Sequence, residues 1–165
     1  MEAGHRRRQR DGLRWRVHIL AESDIIIAAE HATFFDPHVT YGMAAIYEPI
    51  KMMMKMPFSE VMRMSLLGAH ERMTAATARS VGLVTEVLAA DDLLDHACKL
   101  AQIIASQPAA AVQATLRAIW AAVELTPAQA LRMAPSILAN GMDPESLREG
   151  QEVFASGRRV EVNIR

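Results

Sequence analysis

The constraint that bears hardest on this chain is a shortage of strands. The run "DIIIAA", residues 24–29, is short, β-branched and bounded by charged residues, the pattern of a buried strand. Such a strand needs partners. "TFF", residues 33–35, reads as a second short extended piece, stopped by Pro37. "GLVTEVL", residues 82–88, alternates around Thr85 and Glu86 and reads as a third. Two or three strands do not make an independent sheet of ordinary size. The pattern therefore predicts an α+β chain with a small sheet and a dominant helical half. "DIIIAA" and "GLVTEV" should lie together.

The helical segments carry clear punctuation. Residues 44–56 read as an irregular helix, and Pro57 restarts the chain. "FSEVMRMSLLG" then reads as a helix ending at Gly68. Thr74 can cap "AATARSV", and Gly82 suits the left-handed position after it. After Asp91 and Asp92, the set Leu93, Leu94, Ala97, Leu100, Ala101 and Ile104 repeats with a helical period. After Pro108, Val112, Leu116, Ile119, Trp120 and Val123 share a face. The helices over 92–106 and 109–124 are expected to pack through these large side chains. Thr126, Pro127 and Gln129 form a cap signature, and Asp143 with Pro144 repeats the device.

Bulk properties narrow the function classes. The chain has 165 residues, about half of them apolar, and a net charge of -1. That is enough for one real core, and the balance argues against general disorder. No apolar run reaches the roughly 20 residues needed to span a bilayer, and no signal peptide is evident. The single cysteine, Cys98, reads as a small buried hydrophobe on a helix, which fits a reducing cytoplasm. Residues 1–16 hold six arginines against Glu2 and Asp11, so they form a basic arm on a chain otherwise acidic. The arm lacks a groove-reading motif and a basic partner face, so nucleic-acid binding is not expected. A disordered or misassigned arm is the reading. His5, His31, His70 and His96 do not have metal-ligand spacing, and no metal is expected.

The order of pieces resembles a known family. "AESDIIIAAEHATFFDPHVTYGM", followed by "MSLLGAHERMTAATARSVGLVTEVLAADDLLDHACKLAQIIASQPAAAVQATLRAIW", is similar to the enoyl-CoA hydratase/isomerase (crotonase) family. The segment 66–88 is the most specific, and the resemblance runs over roughly residues 17–159. It implies an α/β spiral type of fold, here a truncated crotonase-like fold with few short strands and a mostly helical C-terminal half. The corresponding regions are the arm at 1–16, a remnant of the spiral core at 17–88, and a helical region of the trimerising type at 89–165. The N-terminal half of the family domain has no counterpart in the sequence. Where the family has a glycine-rich turn, this chain reads "GLRWRV", which suggests a frameshift or a wrong start.

The resemblance implies binding of acyl-CoA thioesters and an enolate-like intermediate held in an oxyanion hole of two backbone N–H groups. It implies no separate cofactor, since coenzyme A is part of the substrate, and a homo-oligomer, trimer or hexamer. Both family glutamate positions differ: they fall on His18 and His38. His38 is a candidate general base or acid, or a polar pocket residue that moves no proton. Asp36 reads as structural, accepting backbone hydrogen bonds beside Pro37. Glu48 falls near an acidic position of some family isomerases; otherwise it is a solvated helix carboxylate. Phe34, Phe35 and Tyr41 are core residues or walls of an acyl pocket. Arg158 and Arg159 resemble a basic helix end that reaches CoA phosphates. The expected activity is hydration of, or a double-bond shift in, an acyl-CoA. The alternative is a non-catalytic remnant serving as an oligomerisation or acyl-CoA-binding module.

Overall fold

The computed structural model describes residues 17–142, 144–157 and 162. The basic arm, most of the "GLRWRV" turn, the Asp143 cap, Arg158 and Arg159 lie outside the described residues. The chain divides into two compact units, Met1–Ala97 and Cys98–Arg165.

In the first unit, helix α1 (17–22) leads into strand β1 (Ile27–Ala29), then strand β2 (Thr33–Phe34) and a 3-10 turn at Val39–Tyr41. Helices α2 (Tyr47–Met52) and α3 (Phe58–Leu67) follow. After them come strand β3 (Met73–Thr74), helix α4 (Ala75–Ser80) and strand β4 (Glu86–Leu88). β1 and β4 pair in parallel, with Ile27 opposite Glu86 and Ala29 opposite Leu88. This is the expected partnership of "DIIIAA" with "GLVTEV". Thr85 tightens it: its N–H and its Oγ1 both donate to the Ile26 carbonyl, at 2.7 and 2.9 Å. β2 and β3 pair antiparallel, with Phe34 opposite Met73. Among the described residues each sheet is two-stranded, so packing rather than the ladder must hold it.

That packing comes from one cluster. Ala75 and Ala78 are completely buried on α4, and their small size brings this helix onto Leu83, Val84 and Ala28. Met52, Met56, Val61 and Met64 seat α2 and α3 on the same core. Each such side chain contributes roughly 1.5–3 kcal/mol on burial. The run "KMMMKM", residues 51–56, therefore divides: Met52 and Met56 pack, while Met53 and Met54 are exposed. Thr74 caps α4 by accepting from the Thr77 N–H, as expected.

Helix α5 (Leu93–Ala105) straddles the division between the units. None of its residues is buried, and Cys98 is exposed. The reading of Cys98 as a buried hydrophobe is thus corrected: the helical period set its face, but that position is left exposed.

In the second unit, α6 (Ala109–Glu124) packs on α7 (Pro127–Gly141) and to a lesser extent on α8 (Pro144–Ala155). The sequence predicted packing of α5 on α6 through large side chains. Instead α6 meets α7 at Ala114, whose side chain a Cβ on Gly141 would strike. Small residues allow close approach, whereas Leu116, Ile119 and Val123 remain exposed. An apolar groove of about 590 Å³ runs between these two helices. Thr126 and Gln129 form the expected capping box at the start of α7. Among the described residues, no helix is long and apolar enough to cross a membrane.

Candidate functional site

The segment between β2 and α2 carries the chemistry. Phe34 is buried in the core, and Pro37 holds the chain extended behind it. Asp36 and His38 are then both buried, 2% and 6% exposed. Burying a carboxylate and an imidazole is costly unless they are paired, and here they pair with each other. Asp36 Oδ1 accepts from the His38 backbone N–H at 3.0 Å and lies 2.5 Å from His38 Nδ1. A carboxylate only accepts, so the proton in this contact sits on Nδ1. In the neutral ring Nε2 is then the lone-pair edge, and it has no hydrogen-bond partner among the described residues. The arrangement fixes both ring orientation and tautomer.

The backbone beyond His38 is tightly tied. The N–H groups of Tyr41 and Met43 both donate to the His38 carbonyl at 3.0 Å. The turn closes at Gly42 in the left-handed region, φ 71°. It is then pinned to the end of α3: the Ala69 N–H donates to Thr40 Oγ1 at 2.8 Å. Gly68 lies under this contact with φ 61°, and a Cβ there would strike Thr40 Oγ1. Glycine is required at Gly68 on both counts.

A second imidazole–carboxylate pair lies between α1 and α2. His18 Nδ1 stands 3.7 Å from Glu48 Oε1, with the His18 side chain 45% exposed and that of Glu48 11%. The solvated-carboxylate reading of Glu48 is thereby corrected, since the residue is buried in the first turn of α2. Sequence reasoning singled out both residues separately but did not pair them, because they are thirty positions apart. Lys51 on α2 faces Glu22 on α1 at 3.6 Å, a second contact across the same two helices.

Phe34 and Phe35 border a recess of about 340 Å³ that also includes Val17, Leu20, His31 and Arg72. The Arg72 guanidinium stacks over the Phe35 ring, 3.9 Å from its centroid. Tyr41 does not line this recess; it lies exposed on the turn after His38. Sequence reasoning missed Arg72, and it treated Asp36 as a backbone acceptor without its imidazole partner. The Asp-x-His spacing was the available signal for the latter.

Comparison with known proteins bears on what these pairs do. Residues 17–162 match the family model described as "Enoyl-CoA hydratase/isomerase". The chain is 31% identical over 142 residues to a probable enoyl-CoA hydratase of Rhizobium meliloti (strain 1021), covering 86% of this chain and 55% of the relative. It is 29% identical over 136 residues to a probable mitochondrial enoyl-CoA hydratase of Dictyostelium discoideum, covering 82% and 48%. The crystal structure of an enoyl-CoA hydratase/isomerase from Mycobacterium paratuberculosis superposes with a TM-score of 0.81 at 35% identity, over 86% of this chain and 56% of that one. The chain thus spans about half the length of the relatives it matches.

Proposed function

Because this chain belongs to the enoyl-CoA hydratase/isomerase family, we propose that it acts on acyl-CoA thioesters, adding water across a double bond or shifting one, with His38 as the proton-transfer group. The observation that carries this reading is the buried Asp36–His38 pair. A hydratase must take a proton from water and return one to carbon; an isomerase must move one between two carbons. A ring whose Nδ1–H is held by Asp36 presents Nε2 as a base, and the imidazolium that forms is stabilised by the same carboxylate. Asp36 is a positioning residue in this scheme. His18 and Glu48 supply a second proton carrier, with Glu48 holding the imidazole from the less exposed side.

Two features support the wider setting. Tyr47, Ile50 and Phe58 are exposed, which favours self-association and with it the reading of a homo-oligomer, trimer or hexamer. An exposed, unpaired Cys98 fits a reducing cytoplasm, where acyl thioesters of fatty-acid metabolism are handled. Arg158 and Arg159 are assigned to the CoA phosphates, and Phe34, Phe35 and Tyr41 to the acyl group.

The test is direct. The purified chain is incubated with crotonyl-CoA while the enoyl-thioester absorbance is followed. Turnover that falls by about 100-fold or more in His38→Ala is expected. Turnover indifferent to His38→Ala removes the imidazole from the mechanism. Absence of both turnover and thioester binding leaves the non-catalytic module as the function.

A further inference from the structure

We propose that the recess framed by Phe35 and Arg72 is a binding site for an aliphatic monocarboxylate of medium chain length, with the carboxylate on Arg72 and the chain against Phe35, Leu20 and Val17. The inference goes beyond the thioester reading: it shares Phe34 and Phe35 with the acyl contacts assigned above but takes its specificity from Arg72, which that reading does not use.

The recess has two chemically different ends. Val17 and Phe34 are buried core residues, and with Leu20 they give it an apolar wall. Arg72 and His31 are exposed at its rim. Among the described residues, Arg72 has no carboxylate partner; the neighbouring Glu71 is already taken by Arg63 in a two-point contact. What Arg72 has is the Phe35 ring, 3.9 Å from the guanidinium carbon to the centroid. Stacking restricts the guanidinium plane and leaves its in-plane N–H donors unused. A planar fork of free donors beside an apolar wall recognises an oxyanion attached to a hydrocarbon. His31 adds one ring N–H at the same rim.

Charge and size choose among oxyanions. Acidic side chains outnumber basic ones over residues 17–97, and among the described residues Arg72 is the one permanently charged cation lining the recess. A single cation in an acidic surround suits a monoanion and disfavours a polyphosphate. The volume of about 340 Å³ lies at the low end of small-molecule sites. It holds a carboxylate with several methylenes.

The experiment uses the full chain. Octanoate is titrated by calorimetry, and backbone amides are followed by NMR. Parallel arms use 1-octanol, inorganic phosphate and free coenzyme A. The expected result is saturable octanoate binding that shifts the amides of His31, Thr33 and Phe35. Octanol binds about tenfold more weakly or worse, and neither phosphate nor coenzyme A competes. Arg72→Gln should weaken octanoate about tenfold or more, and Arg72→Lys several-fold, because lysine keeps the charge but loses the stacked fork. Arg72 is a surface side chain, so unchanged circular dichroism is expected for both variants. The proposal is overturned if octanol binds as well as octanoate, if Arg72→Gln binds octanoate like the parent, if coenzyme A or phosphate displaces it, or if no saturable binding occurs below the solubility limit.

Discussion

Replacing Asp36 separates its two roles. One oxygen of a side chain 2% exposed accepts from both the His38 backbone N–H and the His38 ring. Asp36→Ala removes both contacts at a buried site. An orphaned buried N–H costs about 1–3 kcal/mol, and loss of a bond to a charged group about 1.5–3 kcal/mol. The sum is roughly 2.5–6 kcal/mol. For a unit of this size, about 4–8 °C accompanies each kcal/mol, so Tm should fall by more than about 10 °C. Asp36→Asn behaves differently. Its amide oxygen can still accept the backbone N–H, so most of the stability survives. The oxygen or the amide group then meets the ring, and where the amide donates, the proton moves from Nδ1 to Nε2. The assay is ring ¹⁵N NMR of His38, which reads the tautomer without requiring turnover. The parent should carry its proton on Nδ1, and Asp36→Asn should shift population towards Nε2–H with only a small change in Tm. A parent His38 found protonated on Nε2 alone would refute the reasoning, because the 2.5 Å contact would then lack a donor.

Three other outcomes test neighbouring features. Gly68→Ala should destabilise by about 2–3 kcal/mol in chemical denaturation, since it combines a left-handed φ with a collision that breaks the Thr40–Ala69 bond; a change under about 0.5 kcal/mol contradicts the contact. Arg63 hydrogen-bonds Glu71 at two points, both 2.6 Å, and so holds the Glu71 carboxyl below its ordinary 4.5. A depressed folded value adds stability that is present above pH 4.5 and lost as pH falls below it; the difference in Tm between the parent and Glu71→Gln should shrink through that acid range and be flat above it. His96 Nε2 is sealed from solvent and stands 2.8 Å from Glu86 Oε2 without a hydrogen bond. His96→Leu should therefore cost less than about 1 kcal/mol in urea denaturation, and a larger loss assigns real strength to that ion pair.

How much of the fold was legible depended on what each element needed. Caps and turns are local, so Thr74, Gly82, Gly68 and the Thr126–Gln129 box stood in the sequence as they stand in the structure. The pairing of β1 with β4 was legible as well, because an apolar β-branched run has few places to go. The helical faces were not. A 3.6-residue period says which side chains share a stripe, but it does not say which stripe is covered. On α6 the bulky stripe of Leu116, Ile119 and Val123 looked like the packing face, yet the alanine side took α7. Gly141 comes so near Ala114 that an added Cβ would collide with it, an approach that bulky residues there would have prevented. Cys98 failed for the same reason.

The candidate site follows the same division between local and distant information. Asp36 and His38 are two residues apart beside a proline, so their contact was within reach of the sequence. His18 and Glu48 could be nominated singly, but their pairing depends on how α1 and α2 come together, which no periodicity encodes. Arg72 depended on the register of β2 against β3: Phe34 opposite Met73 brings Arg72, just before β3, alongside Phe35, just after β2. Had the register slipped by one residue, side chains would have changed faces and the guanidinium would have lost the ring. The Met73–Phe34 pairing is therefore the step through which Arg72 reaches the recess.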